Sequence, residues 1–213
     1  MISNRNTARI VGALFLTAMV TWFIGYTLIE SITSAPDYLI AVSENEHQVI
    51  IGVLFELINS AAVVGIAVMM FPILRTHNES IALGYVGFRI IEATVLIASA
   101  ISALLLLTLS QEFVKAGAPD ASYFQTLGTS AIEGRYWSGQ MGPLFVGLGG
   151  LMFSYLLYQS KLIPRVISVL GLMGYPLLAT GGLLNMLGVI DTLHGPGMII
   201  LIPGVLFEIV LPM

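Results

Sequence analysis

The sequence predicts an all-α, polytopic integral membrane protein with six transmembrane helices in one bundle, residues 1–213 forming a single transmembrane domain. Three observations lead there. Hydrophobic residues make up 57% of the chain and charged ones 9%, against roughly a quarter charged in soluble domains; so few charges cannot cover a water-soluble surface. Apolar runs long enough to cross a bilayer recur along the whole length and leave no polar segment large enough to fold apart. The runs are continuous rather than alternating, and inside hydrocarbon every backbone amide must be paired within its own segment, so helices follow rather than barrel strands.

The first span, about residues 8–29, follows Arg5 and Arg9 as the apolar part of a signal peptide would. Its roughly 20 apolar residues and its lack of a small-x-small cleavage site read as a retained helix. The second and third spans cover about 48–74 and 81–109. An external connection over about 111–137 contains PDASYFQTLGTSAIEGRYW. In it Asp120 caps a short interfacial helix showing Tyr123, Phe124, Leu127 and Ile132. Glu133, Arg135, Tyr136 and Trp137 then open the fourth span, about 138–158, as an aromatic anchor with a local ion pair. The fifth and sixth spans cover about 163–187 and 197–213. Gly142, Gly149 and Gly150 in the fourth, with Gly171, Gly174, Gly181 and Gly182 in the fifth, let helix backbones approach closely. The last run stops at Met213 without a polar flank, which points to a native chain that continues.

Lys and Arg concentrate on the cytoplasmic side of membrane proteins. With the N-terminus inside, Arg5, Arg9, Arg75, Lys161 and Arg165 are internal and Lys115 and Arg135 external, so both termini are expected in the cytoplasm. A formal net charge of -4 with scattered Lys and Arg excludes nucleic acid as a partner. With no cysteine, disulfides, iron–sulfur clusters and thiolate zinc are excluded, while the redox compartment stays open. The expected surroundings are a lipid bilayer, and a homo-oligomer remains open.

Four ionisable side chains fall inside the spans: Glu56, Arg89, Glu92 and Glu208. A charge at the centre of a membrane helix costs roughly 2.5–3.5 kcal/mol or more, so each marks a functional position whose partner must be named. Arg89 and Glu92 are three apart and share a face with Tyr85 and Ser99; Glu56 and Asn59 do the same on the second span. Glu56 lies roughly 13 Å from the outer end of its helix and Arg89 roughly 13 Å from the inner end of the next, which predicts a meeting near mid-depth. The phrase GVLFELI at 52 recurs as GVLFEIV at 204 and sets Glu208 at the depth of Glu56. A three-plus-three duplication would pair the second span with the fifth instead, so the echo does not read as a repeat.

Glu56, Asn59, Arg89, Glu92 and Glu208 therefore form the predicted ligand- or ion-binding cluster. Three carboxylates against one guanidinium leave an excess of negative charge, which a proton, a cation or an amine-bearing small molecule would balance. The alternative is that Arg89 ties helices together and the charges only specify packing. His47, Asp191 and His194, with Glu44 and Glu46 near the first, are weak metal candidates whose spacing matches no ligand motif. No metal or cofactor is expected, and no catalytic residue is identifiable: there is no serine elbow, HExxH or phosphate-binding glycine loop.

The stretches ARIVGALFLTAMV, GFRIIEATVL, SKLIPRVISVLGLMGYPLL and IPGVLFEIVLPM resemble the bacterial membrane family catalogued as domain of unknown function 4386, over nearly the whole chain. The resemblance implies a six-helix bacterial inner-membrane protein, puts Arg89, Glu92 and Glu208 at recurring polar positions, and supplies no catalytic residues. The first functional expectation is a small carrier or ligand-binding protein using the buried Glu/Arg cluster. The alternatives are an intramembrane enzyme acting on a lipid or other hydrophobic substrate, with a carboxylate as acid or base, and a non-catalytic scaffold or sensor.

Overall fold

The computed structural model describes residues 4–117, 121–190, 199–200 and 202–211. Seven α-helices follow one another: α1 (Asn4–Thr33), α2 (Tyr38–Glu44), α3 (Glu46–Leu74), α4 (Glu79–Lys115), α5 (Ala121–Ser160), α6 (Arg165–Met186) and α7 (Ile202–Val210). Among the described residues there is no strand. The chain is all-helical, and α1, α3, α4, α5 and α6 are each long and apolar enough to cross a membrane. The nine-residue α7 and a helical turn at 199–200 fall within the predicted sixth span, whose residues 197, 198, 201, 212 and 213 lie outside the described ones.

Local chemistry accounts for the helix ends and for the polar residues within them. Asn78 caps α4 by accepting from the Ile81 amide at 3.0 Å, and Glu79 sits in the first turn, where the helix dipole favours an acid. Lys115 closes the same helix in its last turn. Gly188 adopts φ 69 after α6, a left-handed conformation that glycine enters without strain. Along α1 the hydroxyls of Thr17, Thr21 and Thr27 donate to carbonyls four residues back at 2.7–2.8 Å, so the threonines bring no unpaired polar group into an apolar setting.

The predicted connection over 111–137 is the principal correction. From Ala121 onward it is the first part of α5, a helix of 40 residues that runs unbroken to Ser160. The sequence looks like a loop because its outward face is largely polar; its inward face, with Phe124, Ala131 and Ile132, packs on Tyr38, Leu39 and Leu107, while Leu127 is exposed. Gly128 lets α2 come close, since a Cβ there would lie 2.7 Å from the Tyr38 hydroxyl. That hydroxyl donates to the Gln125 carbonyl at 3.1 Å.

Neighbouring long helices pack in sequence: α1 on α3, α3 on α4, α4 on α5, α5 on α6 and α6 on α7. One end of the bundle is filled by Val11, Phe15, Leu74, Ala82, Phe153 and Leu157 and carries Arg5, Arg9, Arg75, Lys161 and Arg165 at the adjoining helix ends; it is called the basic end below. The opposite end is filled by Ile32, Leu39, Val42, Val49 and Leu106. Large apolar side chains such as Phe23, Leu83 and Leu105 point outward, each 61–62% exposed, a surface suited to acyl chains.

The predicted glycine contacts are largely present. A Cβ on Gly150 would run into the Tyr175 ring, and one on Gly174 would lie 2.5 Å from the Gly204 amide nitrogen; at Gly147, outside the predicted set, one would lie 2.6 Å from the Tyr175 carbonyl oxygen, so backbones approach closely at the α5–α6 and α6–α7 crossings. Gly142 is different: a Cβ there meets nothing within 4 Å.

Candidate functional site

The buried charges fall into two centres at different levels of the bundle. Toward the end opposite the basic one, Arg135 of α5 grips Glu56 of α3 with both arms of its fork, Nη1 donating to Oε2 at 3.0 Å and Nη2 to Oε1 at 2.5 Å. Both residues are 8% exposed. Nη1 also reaches the Ser99 hydroxyl at 3.3 Å and the Ser99 carbonyl at 3.4 Å, and the Ser99 hydroxyl donates to the Arg135 carbonyl at 3.4 Å. A bidentate, charge-assisted pair in a dry setting is the strong form of this interaction, and here it joins α3, α4 and α5. The charges cancel within the pair.

One step toward the basic end, Asn185 of α6 donates its amide to the Gln140 side-chain carbonyl of α5. Both are buried, and the pair links α5 to α6.

The second centre lies deeper. On α4 the Arg89 Nη1 atom is 2.8 Å from Glu92 Oε2, with the two side chains 6% and 5% exposed. This contact is close but not aligned as a hydrogen bond: Glu92 Oε2 and Arg89 Nε have no hydrogen-bond partner. On α6 the Tyr175 hydroxyl donates to Glu208 Oε1 of α7 at 3.2 Å. Arg89 is within electrostatic reach of both carboxylates and of Tyr85 and Tyr175. The walls are rings: Tyr85 stacks on Phe153 at 4.8 Å between centroids, and Tyr175 meets Phe207 edge to face at 5.4 Å. These four aromatic residues are 0–2% exposed.

The expected meeting of Glu56 with Arg89 does not occur; Glu56 takes Arg135 instead. Helix length explains this. α3, at 29 residues, is about 43 Å long, and each of the two residues lies about 15 Å from opposite ends of the pair of helices, so about 13 Å of helix separates their levels. Asn59 is buried one turn from Glu56 and accompanies the outer centre. Arg89, Glu92 and Glu208 are brought together. The local Glu133–Arg135 ion pair expected from sequence is also absent: Glu133 is exposed, whereas Arg135 points inward. Two participants were missed. Arg135 was hidden by the polar face of its helix, although three buried carboxylates against one arginine already called for a second cation. Tyr175 carried no signal beyond a tyrosine in a glycine-rich span.

His47 is exposed, and Asp191 and His194 lie outside the described residues. Among the described residues no three His, Asp or Glu side chains gather in a metal-binding arrangement.

An all-helical chain with five helices long and apolar enough to span a membrane, carrying compensated and uncompensated charge pairs in its interior, defines the class of protein. The chain belongs to the family described as Domain of unknown function (DUF4386), whose model matches residues 10–213. No curated protein and no solved structure shows significant similarity to it.

Proposed function

We propose that this is a six-span protein of the bacterial inner membrane, both termini in the cytoplasm, that acts as a small carrier for protons through Glu92, Arg89 and Glu208. The observation that carries this reading is the charge count of the inner centre. Glu92 pairs with Arg89 at 2.8 Å and Glu208 lies within electrostatic reach of the same guanidinium, and a buried excess charge is strongly unfavourable. The centre is neutral only with one more positive charge. A proton supplies that charge on a carboxylate oxygen without any further ligand.

Two further points support the membrane placement. Helical residues at 199–200 and in α7 fall in the run read as the sixth span. Arg135 is buried, so Lys115 is the one basic residue toward the end opposite the basic one, against Arg5, Arg9, Arg75, Lys161 and Arg165; the positive-inside bias is sharper than the sequence alone indicated. The bidentate Glu56–Arg135 pair, being neutral, serves closure and packing rather than proton binding.

The test uses the full chain in liposomes loaded with a pH-sensitive dye and clamped at zero potential with potassium and valinomycin. After an external acid step the lumen should acidify faster than in protein-free liposomes. Glu92→Gln and Glu208→Gln should each return the rate to the protein-free value, and Tyr175→Phe should reduce it. Equal rates with and without protein, or rates indifferent to these substitutions, would show that the charges serve packing alone.

A further inference from the structure

The cross-helix contacts set the buried polar groups at successive levels. Between α4 and α5, Gly134 faces Ser102, Gly149 faces Phe88 and Arg89, and Gly84 faces Met152. Between α5 and α6, Gln140 meets Asn185, Gly150 meets Tyr175 and Ser154 meets Gly171. On this register Arg135 is outermost, Gln140 lies about 7 Å deeper, Glu92 about 9 Å beyond that, and Arg89 with Tyr175 deeper by about 5 Å. Ser154 follows one turn further on α5. The rise from Arg135 to Ser154 is about 28 Å, close to the roughly 30 Å of a bilayer's hydrocarbon core.

The two halves of this column differ in one respect. Toward Arg135 the polar atoms are matched with each other: Glu56, Arg135, Ser99, Gln140 and Asn185 are all hydrogen-bonded. Toward the basic end Tyr175 and Glu208 are hydrogen-bonded to each other, but other buried polar atoms are not. Among the described residues five buried side-chain atoms lack a partner, and four lie here: Arg89 Nε, Glu92 Oε2, Ser154 Oγ and Ser168 Oγ; the fifth, Ser110 Oγ, is near the far end of α4. Ser154 and Ser168 are 0% exposed. Buried polar atoms are almost always satisfied, by water when not by protein. Ser168 sits within one turn of the start of α6 at Arg165, so the unsatisfied run extends from the charged centre to the basic end.

We propose that Ser168, Ser154, Tyr175, Glu208, Arg89 and Glu92 form a half-channel, a hydrated access path that brings protons to the carboxylates from the basic end only. The Glu56–Arg135 pair closes the other end: both carboxylate oxygens are engaged by the guanidinium and offer no free acceptor to an approaching proton. A proton arriving from water passes along hydroxyls, which both donate and accept, binds a carboxylate oxygen of Glu208 or Glu92, and goes on to the opposite face only when the Glu56–Arg135 pair opens. The titratable and charged groups around Glu92 are Arg89 and Tyr85 on α4, Tyr175 on α6 and Glu208 on α7; α5 contributes Gly149, Gly150 and Phe153, which do not titrate. The proposal rests on the proton-carrier reading for its cargo, but its test reads the path and not the flux, so the two fail separately.

The chain has no cysteine, so Ser154→Cys and Ser168→Cys each introduce a sole thiol. Silver ion, a thiol reagent near the size of water, is applied to one face of oriented vesicles, and the thiols left free are counted with a maleimide after denaturation. Silver from the basic end should abolish later labelling of both variants, and silver from the opposite end should leave it intact. Glu56→Gln in the Ser154→Cys background should make the thiol reachable from both ends. Thiols that stay free under silver from the basic end, or are blocked equally from either side, overturn the half-channel. The unsubstituted protein gives an independent readout: transferred to D2O, its buried carboxyl should exchange while the fold is intact, and exchange only on unfolding would contradict the path.

Discussion

Replacing Arg135 with leucine should destabilise the folded protein by about 3–5 kcal/mol, the cost typical of stripping one partner from a buried ion pair. The loss comes less from the attraction removed than from Glu56, which would remain 8% exposed between three helices with no counter-charge and two bonds unmade. Arg135→Lys should recover only part of the loss, because an ammonium cannot reproduce the two-armed grip. The double variant Arg135→Leu with Glu56→Leu should regain most of the stability, since apolar pairs of similar volume replace buried ion pairs at little cost. Unfolding in mixed micelles measures all three. A single variant as stable as the parent would mean that the pair is not closed in the membrane.

Arg89→Leu should be about as damaging, for a different reason. It removes the one cation serving Glu92 and Glu208, and like charges in a dry interior repel strongly. Adding Glu92→Leu removes that repulsion and leaves Glu208 with its Tyr175 hydroxyl, so the double variant should recover most of the roughly 3–5 kcal/mol lost. Arg89→Lys should be milder than Arg135→Lys, because Arg89 makes a single-atom contact where Arg135 makes a fork. Equal damage from the two lysine variants would contradict the distinction drawn between the centres.

Residue chemistry made part of this legible beforehand. The apolar runs marked six spans, because hydrocarbon permits no other pairing of so many amides, and five of them are helices long and apolar enough to cross a membrane. The three-residue spacing of Arg89 and Glu92 gave their ion pair, since i and i+3 meet on any helix. What could not be read depends on register between helices. Glu56 and Arg89 were matched by depth, but helices longer than the hydrocarbon core leave register free, and the glycine crossings that fix it are set by contacts distant in sequence. Arg135 reads from sequence as an external ion pair with Glu133 beside the aromatic anchors Tyr136 and Trp137, because neighbours such as Gln125, Thr126 and Ser130 are hydrophilic; α5 is amphipathic there, and Arg135 faces inward. Tyr175 enters the inner centre only because Gly150 and Gly174 let α5 and α7 close on α6.

The account stands on one extra proton at the inner centre. Infrared spectroscopy of the full chain in lipid at neutral pH reads this directly through the carbonyl stretch of a protonated carboxyl, which is separated from the ionised form. The account predicts one such band that moves in D2O and is lost or displaced in Glu92→Gln or Glu208→Gln while persisting in Glu56→Gln. A spectrum with every carboxyl ionised, or a band that vanishes only with Glu56, would contradict it.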